Sequence, residues 1–557
     1  MEGILAIREI QGDTLNSGFA GDQVETQGVI TGVLRRGFYM QTPNVTWDGQ
    51  RSDAVFVYGT TKNIKVGHLV QVAGECVNFL KDDSARPVTQ IKLSSLYLVQ
   101  EEGPLITPLT LSPELLPLAS EALAVMLNSL EGMLLAIPAQ STFIAPSNLF
   151  GDYVCALPHH FNEPDVIKTK EGGVIVEARS GGRWFPGFRL RNYKQAPQLN
   201  VGTTLLTDVV GPLQYRVGAW QIAAQQTFEF TDNPIALQKS RISSRDGALT
   251  ILTLNCFNLD CHLEAAELVK NPRTDVDDDW GDGRFHTLAE AVVLQANTPD
   301  IVALQEIQDN DGAELTEVVD ASKTYIALIV LIKQLSGVEY HWVDIPPEPG
   351  ADGGQPGGNI RNGYLYNPKR VTLVPNSVQL IGANEPCFVG SRKPLMATFK
   401  ERASDKTMTV INVHLVSKRE QLSIFAPLNP GVDLREGVRI EQAEAIHRET
   451  EQLLKQGQNY YITGDFNDHE HSSTLNALVG TSNTNLVLSL PPETRYDYNH
   501  RGKLQVLMHG IVPKQFVDTD KVDYEIIHGN ELIGAEPGAD TDKPSDHAYV
   551  LAKIELS

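Results

Sequence analysis

The feature that most constrains the fold is a series of short apolar stretches, each ending in a polar side chain, that begins near Asp246. Leu249-Thr-Ile-Leu-Thr-Leu-Asn255 is a strand ending in an amide, and Ile301-Val-Ala-Leu304 runs directly into Gln305-Glu306. Met408-Thr-Val-Ile-Asn-Val-His414 ends in an imidazole, and Tyr461-Ile-Thr-Gly-Asp465-Phe-Asn467 ends in a carboxylate and a carboxamide. Pro544-Ser-Asp546-His547 precedes a last strand that starts at Ala548. Helical patterns fall between them: Phe285 to Gln295, stopped by Asn297-Thr-Pro-Asp, and Arg439 to Lys455, where Ile440, Ala443, His447, Leu453 and Leu454 gather near one face. Strands alternating with helices predict α/β layering. Residues two apart on an extended chain share a side, so Asp465 and Asn467 point together while Phe466 points into the core. A rigid sheet that holds polar groups beside open loops is a common place for a site.

The front of the chain reads differently. Val24 to Val33, Gly37 to Gln41, Ala54 to Tyr58, Val66 to Val72 and Thr89 to Ile91 are five short strands, which predict a small closed OB-like barrel over residues 1–102. Such barrels bind single strands through aromatic and basic side chains; the candidates are Arg35, Arg36, Phe38 and Tyr39. The competing expectation is that one of the two rings is core and the arginines are solvated. After the Pro/Leu-rich linker at Glu102-Gly-Pro-Leu-Ile-Thr-Pro-Leu, a helix near Leu115–Leu130 leads into a second β-rich module over residues 103–240. That module shows no catalytic constellation, and its His159-His160 pair reads as a loop pair rather than a metal site. Residues 246–557 form the α/β domain.

Composition bears on partners. With 46 Lys+Arg against 69 Asp+Glu the formal charge is −23, which opposes passive adhesion to nucleic acid through surplus cations. It leaves room for an enzyme that meets phosphates through a bound cation, because the ion is then the largest local charge. No apolar run reaches the roughly 18 residues of a membrane span, so no membrane partner is expected. The start Met1-Glu-Gly-Ile-Leu-Ala-Ile-Arg shows no basic and then apolar leader. Five cysteines, an odd number, do not make a disulfide framework; Cys256 and Cys261 could pair, and free thiols are the expected state.

Asn255, Glu306, His414, Asp465 with Asn467, and Asp546 with His547 each have a bland explanation alone. As a set in this order, Leu-Asn255-Cys-Phe-Asn, Leu-Gln-Glu306-Ile, Asn-Val-His414-Leu, Gly-Asp465-Phe-Asn467 and Ser-Asp546-His547 resemble the endonuclease/exonuclease/phosphatase superfamily, of the pancreatic deoxyribonuclease type. Asn362 to Val371 and Ser-Arg392-Lys-Pro-Leu are similar to further family segments. The β-rich front, with its Ile-Arg-Glu-Ile-Gln-Gly opening, resembles bacterial extracellular deoxyribonucleases with an OB-like domain ahead of the nuclease. The resemblance implies a two-sheet α/β sandwich over about residues 249–557 and a metal-dependent phosphodiesterase acting on nucleic acid, DNA above all, as a monomer. It implies secretion, against the missing leader, with the cytoplasm as the other compartment.

The same resemblance distributes roles. Glu306, Asn255 and Asp546 would hold Mg²⁺ or Mn²⁺ through oxygen, and His547 would act as general base on water. Asp465 would orient the nucleophile, while His414, Asn467 and Arg392 would contact the phosphate. Family members also carry an Asp that hydrogen-bonds the catalytic histidine; the corresponding stretch here, Gly502-Lys-Leu-Gln505-Val-Leu-Met, places Gln505 there. A Gln carbonyl orients an imidazole N–H without stabilising its charge, so the Asp could instead come from Asp497 or Asp523. The acidic loop Asp275-Val-Asp-Asp-Asp-Trp-Gly-Asp282 is either a Ca²⁺ site or a solvated loop. Two other functions use the same residues: a phosphomonoesterase or lipid or sugar-phosphate esterase, and a nucleic-acid-binding protein with a weakened nuclease site.

Overall fold

The computed structural model describes residues 3–59, 63–80, 86–176, 183–216, 218–418, 433–538 and 544–556. The chain divides into two compact units, one built mainly on Met1–Pro234 and the other mainly on Ile235–Arg419 and Leu434–Ile533 with the C-terminal strand. The two β-rich modules expected from the sequence thus fall in one compact unit.

In that first unit β1 (Gln23–Leu34), β2 (Gly37–Gln41), β3 (Ala54–Tyr58), β4 (Leu69–Phe79) and β5 (Val88–Gln100) close into a barrel of order β1-β2-β3-β5-β4. β3 and β5 run parallel and the other neighbours antiparallel. Alternation sends Val24, Ile30, Phe38, Met40, Val55, Val57, Val72 and Ile91 inside. Residues 109–231 add a nine-stranded sheet around Phe143, Tyr153, Phe188, Trp220 and Phe228. The predicted helix is shorter than its sequence pattern, Ser120–Ser129, because Pro113 opens a separate 3₁₀ turn before it.

The structure corrects the single-strand-binding reading of β2. Phe38 is core, and Tyr39, on the opposite side, is 5% exposed. Its ring packs on Phe56, 4.9 Å between centroids, and faces Gly132 of the following module. Alternation alone leaves Tyr39 in solvent; packing of the two modules covers it. Arg35 and Arg36 are exposed on the β1–β2 turn without an accompanying aromatic surface from β2.

The second unit is a two-sheet α/β sandwich. One sheet contains β6 (Ala248–Leu259), β7 (Ile301–Ile307), β8 (His341–Asp344), β9 (Arg361–Tyr366), β14 (Val522–Ile527) and β15 (Tyr549–Glu555), in the order β8-β9-β7-β6-β15-β14. The other is centred on β10 (Leu395–Glu401), β11 (Thr407–His414), β12 (Tyr460–Asp465) and β13 (Met508–Pro513), in that order. Their facing sides share a core of Leu249, Ile251, Ile301, Ala303, Tyr364, Val410, Tyr461 and Val512. Helices α1 (Arg284–Glu290) and α2 (Ser322–Ser336) cover the outer face of the first sheet, and α3 (Glu436–Lys455) and α4 (Ser473–Val479) that of the second.

The inward positions change chemistry along each strand. On β6 they read Leu249, Ile251, Thr253, Asn255; on β11, Met408, Val410, Asn412, His414; on β12, Tyr461, Thr463, Asp465. Parallel pairing sets Asn412 beside Thr463 and His414 beside Asp465. The apolar core therefore gives way to a buried polar floor, and that floor carries the site. Gln305 donates to the Asn412 oxygen at 2.6 Å, and the Asn412 amide donates to the Leu304 and Gly363 carbonyls at 2.8 and 3.0 Å. The Asn412 amide, with its oxygen and both N–H groups engaged, fixes one relative register of the two sheets. Gly464, at φ +137°, is required there, since a Cβ would collide with the Val413 carbonyl across the parallel pair.

Candidate functional site

Strand ends bring the predicted residues together. Register slips between Asn255 and Leu259 on β6 and between Leu304 and Ile307 on β7, and Glu306 sits in the left-handed region at φ +58°. That conformation costs a non-glycine residue roughly 1–2 kcal/mol. It is offset by two hydrogen bonds that Glu306 accepts, from the Asn258 N–H and from the Asn255 amide, both 3.1 Å. Asn255 Nδ2 also lies 3.4 Å from Asp465 Oδ2. His414 Nε2 stands 3.7 Å from Glu306 Oε1 and 3.8 Å from Asp465 Oδ2. His547 Nε2 is 3.8 Å from both Asp465 Oδ2 and Asp546 Oδ1.

His547 is held from behind. Its Nδ1 is 2.6 Å from Asp497 Oδ2. Asp497 is fully buried, and its other oxygen accepts the Leu507 and Met508 N–H groups at 2.6 and 3.0 Å. The carboxylate is thus fixed before it fixes the ring. Tyr498 stacks on the other side of His547, 4.9 Å between centroids at 30°. Gln505 contributes its backbone carbonyl to the Asp497 N–H, and Asp523 pairs with Lys553. The expectation that Gln505 stands behind His547 is therefore corrected: Asp497 occupies that place. No periodic signal in the sequence identifies it, because the contact spans 50 residues and depends on a hairpin register.

Two other residues meet at one carbonyl. Asn467, at φ +53°, donates its amide to Leu415 O at 3.0 Å, and Arg392 donates to the same oxygen at 3.3 Å. The Asn467 N–H donates to Asp465 Oδ1 at 2.8 Å. Arg392 Nε and His414 Nδ1 are buried with no hydrogen-bond partner among the described residues. The loops carrying Arg392 and Asn467 are braced by α3: Gln442 donates to Cys387 O and Ser391 Oγ, and Arg439 to Asp468.

Electrostatics divide the two histidines. Burial opposes charge on His547, but Asp546, Asp497 and Asp465 outweigh it and lift its pKa to about 10. Burial, then Arg392 and His547, hold His414 well below its ordinary value. Burial, then Asp546, raises Glu306, and burial also raises Asp465. Three carboxylates sharing one poorly hydrated space form a hard-oxygen donor set that a divalent cation stabilises. Glu306, Asp465 and Asp546 are the carboxylates available to such an ion. Asn255 is not available in its present orientation: its oxygen accepts the Phe257 N–H at 2.9 Å, and its Nδ2 ties Glu306 to Asp465.

The acidic loop is also redistributed. Within it only Asp277 gathers with other acids, Asp260 and Glu264, with ligand atoms within 4.8 Å of one another. Burial and then Glu264 lift Asp260 to about 9. Asp279 instead pairs with Arg284, and Asp278 accepts the Gly281 N–H. His159, His160 and Glu163 also converge in the first unit, where the Arg183 guanidinium contacts Glu163 and opposes a cation. All five cysteines are free thiols.

Known proteins are similar to the chain over the part that carries this site. The family model described as the endonuclease/exonuclease/phosphatase family matches residues 253–547, just over half of the chain. A domain of unknown function matches residues 116–233. No curated protein matches the chain. Among solved structures, a humanized D. rerio TDP2 is similar at 17% identity over 56% of this chain and 99% of its own, with a TM-score of 0.35. The human Nocturnin catalytic domain is similar at 14% identity, 56% and 96% coverage and a TM-score of 0.36. A Bacteroides vulgatus endonuclease/exonuclease/phosphatase is similar at 17%, 56% and 99%, with a TM-score of 0.34. The chain, with its strand-end carboxylates and histidines inside the matched residues, belongs to the endonuclease/exonuclease/phosphatase family.

Proposed function

We propose that this chain is a divalent-metal-dependent phosphodiesterase that hydrolyses nucleic acid, DNA first, by in-line attack of water with His547 as general base. The observation that carries the reading is the Asp497–His547 pair: a fixed carboxylate 2.6 Å from Nδ1 leaves Nε2 directed at a space edged by Asp465 and Asp546. Without a cation the surrounding carboxylates keep His547 protonated up to about pH 10; a cation taken by Asp465 and Asp546 would offset two of them, and an imidazole whose Nδ1 proton is held by Asp497 then presents its Nε2 lone pair to a substrate proton.

Each side chain then has a task. Nε2 of His547 takes the proton of the attacking water, and Asp497 stabilises the imidazolium that results. Asp465, bridged to Asn467 by a 2.8 Å hydrogen bond, orients that water. Arg392, through an Nε without a partner among the described residues, and His414 Nε2 donate to the phosphate oxygens. In the same state His414 is neutral, which lets it enter a phosphate site without adding a desolvated charge. Glu306, Asp546 and Asp465 would hold Mg²⁺ or Mn²⁺, which supplies positive charge against these carboxylates and the growing charge on the phosphate.

The test is a panel of plasmid DNA, RNA, bis-p-nitrophenyl phosphate and inositol phosphates with Mg²⁺ or Mn²⁺ and an EDTA control. The expected result is cleavage of the nucleic acids and the diester, abolished by EDTA. Turnover of inositol phosphates alone would move the chain to the phosphomonoesterase class. No turnover of any diester would leave a binding protein with a weakened site.

A further inference from the structure

We infer that the hairpin of Tyr498–His500 and Lys503–Gln505 is a docking arm for a single nucleic-acid strand leading away from His547, with His500 as stacking platform and Arg501 and Lys418 as phosphate contacts. The inference rests on the nucleic-acid reading of the site and names the form of substrate it takes.

Three observations carry it. The first is a run of rings. Tyr498 lies over His547 at 30°, and His500 follows, 6.3 Å from Tyr498 at 23°. His547 is buried, Tyr498 is half-buried and His500 is exposed, so nearly parallel rings lead from the reacting centre to solvent. Exposed aromatic faces at such spacing accept unpaired bases of any sequence.

The second is the turn. His500 pairs with Lys503, which leaves Arg501 and Gly502 as a two-residue turn with φ +50° and +91°. Asn499 Oδ1 accepts the Gly502 N–H at 2.9 Å and closes it. A turn with two positive φ values favours Asn-Gly or Asp-Gly; here an arginine takes the strained position and projects an exposed guanidinium from the tip. Strain kept at an exposed position is a pointer to use rather than to stability.

The third is local charge. In a chain of net −23, cations cluster here. Arg501, Lys418 and Lys503 lie close enough to the His500 ring to oppose a charge on it. Lys418, four positions beyond His414, stands 3.7 Å from Asp468 at the edge of the site. An exposed stacking ring flanked by cations suits a base and its phosphates together.

The experiment measures binding, so it does not depend on turnover. The full chain, with Mg²⁺ held constant, is titrated into fluorescein-labelled phosphorothioate oligothymidylate of about ten nucleotides, within the footprint of single-strand sites, and anisotropy is followed across a salt series. His500→Ala is expected to weaken binding about tenfold, and His500→Tyr to restore it. Arg501→Ala with Lys418→Ala is expected to lower the slope of log K against log salt by about 1.4, and Arg501→Lys to recover part of it. Wild-type protein that does not bind the strand, or alanine variants that keep its affinity and salt slope, would overturn the arm. Binding that responds to these substitutions in a protein that cleaves no phosphodiester would support the arm and sink the catalytic reading.

Discussion

His547 and His414 occupy two regions of one site, and their difference explains its design. Both imidazoles are about equally buried, His547 at 4% and His414 at 4% exposed. One is backed by Asp497, itself clamped by two backbone N–H groups, and faces two more carboxylates. The other stands at a strand end beside Arg392 with an Nδ1 that no described residue satisfies. The first can gain and pass on a proton; the second stays neutral and donates. Burial alone would have made them alike. Their neighbours decide, and those neighbours come from different elements: a hairpin for His547, two parallel strands for His414.

The sharpest way to break the comparison is to remove each ring in turn. His547→Ala should lower kcat on a diester by about 10²–10⁴-fold in a protein that still folds. Next, Asp497→Asn should cost about 10²-fold or more, because an amide holds the wrong tautomer and adds no charge. Gln505→Asp should leave the rate flat; a rate gain there would return the orienting role to Gln505. His414→Ala should cost about tenfold, seen mainly as a higher KM for the diester.

Stability against pH provides the smallest and most diagnostic effect. In EDTA, the raised pKa of His547 contributes stability that is fully present below the ordinary value of 6.5 and is lost as pH rises toward about 10. The lowered pKa of His414 acts in the opposite sense: the unfolded chain takes up a proton that the folded ring refuses, so stability falls as pH drops below 6.5. Chemical denaturation across pH should show His547→Asn flattening the alkaline limb and His414→Asn flattening the acid limb. If both substitutions flatten the same limb, the two rings do not sit in opposed fields.

Much of the site is legible in the sequence because strand periodicity reports it. Leu249, Ile251, Thr253 and Asn255 share one side of β6, so the change from apolar to polar can be read directly off every second residue. The same holds for β11 and β12. What lies outside that periodicity is only partly legible, and Asp497 can be named from the sequence only as an alternative beside Asp523. Asp497 reaches His547 through a hairpin register set 50 residues away, and the Glu306 carboxylate depends on a slip in β7 that alternation does not encode. Tyr39 is misread for a related reason: a barrel face that reads as solvent-exposed is covered by the module after it. Amide orientation at Asn255 is likewise a matter of local partners, since the Phe257 N–H claims the oxygen expected to face an ion.

The most direct measurement is nicking of supercoiled plasmid by purified wild-type and His547→Ala protein, with Mg²⁺ and with EDTA. Relaxed and linear DNA are expected from the wild-type protein with Mg²⁺, none with EDTA, and a loss of at least about 10²-fold in His547→Ala. Nicking by His547→Ala at the wild-type rate, or nicking that persists in EDTA, would contradict a metal-dependent site with His547 as its base.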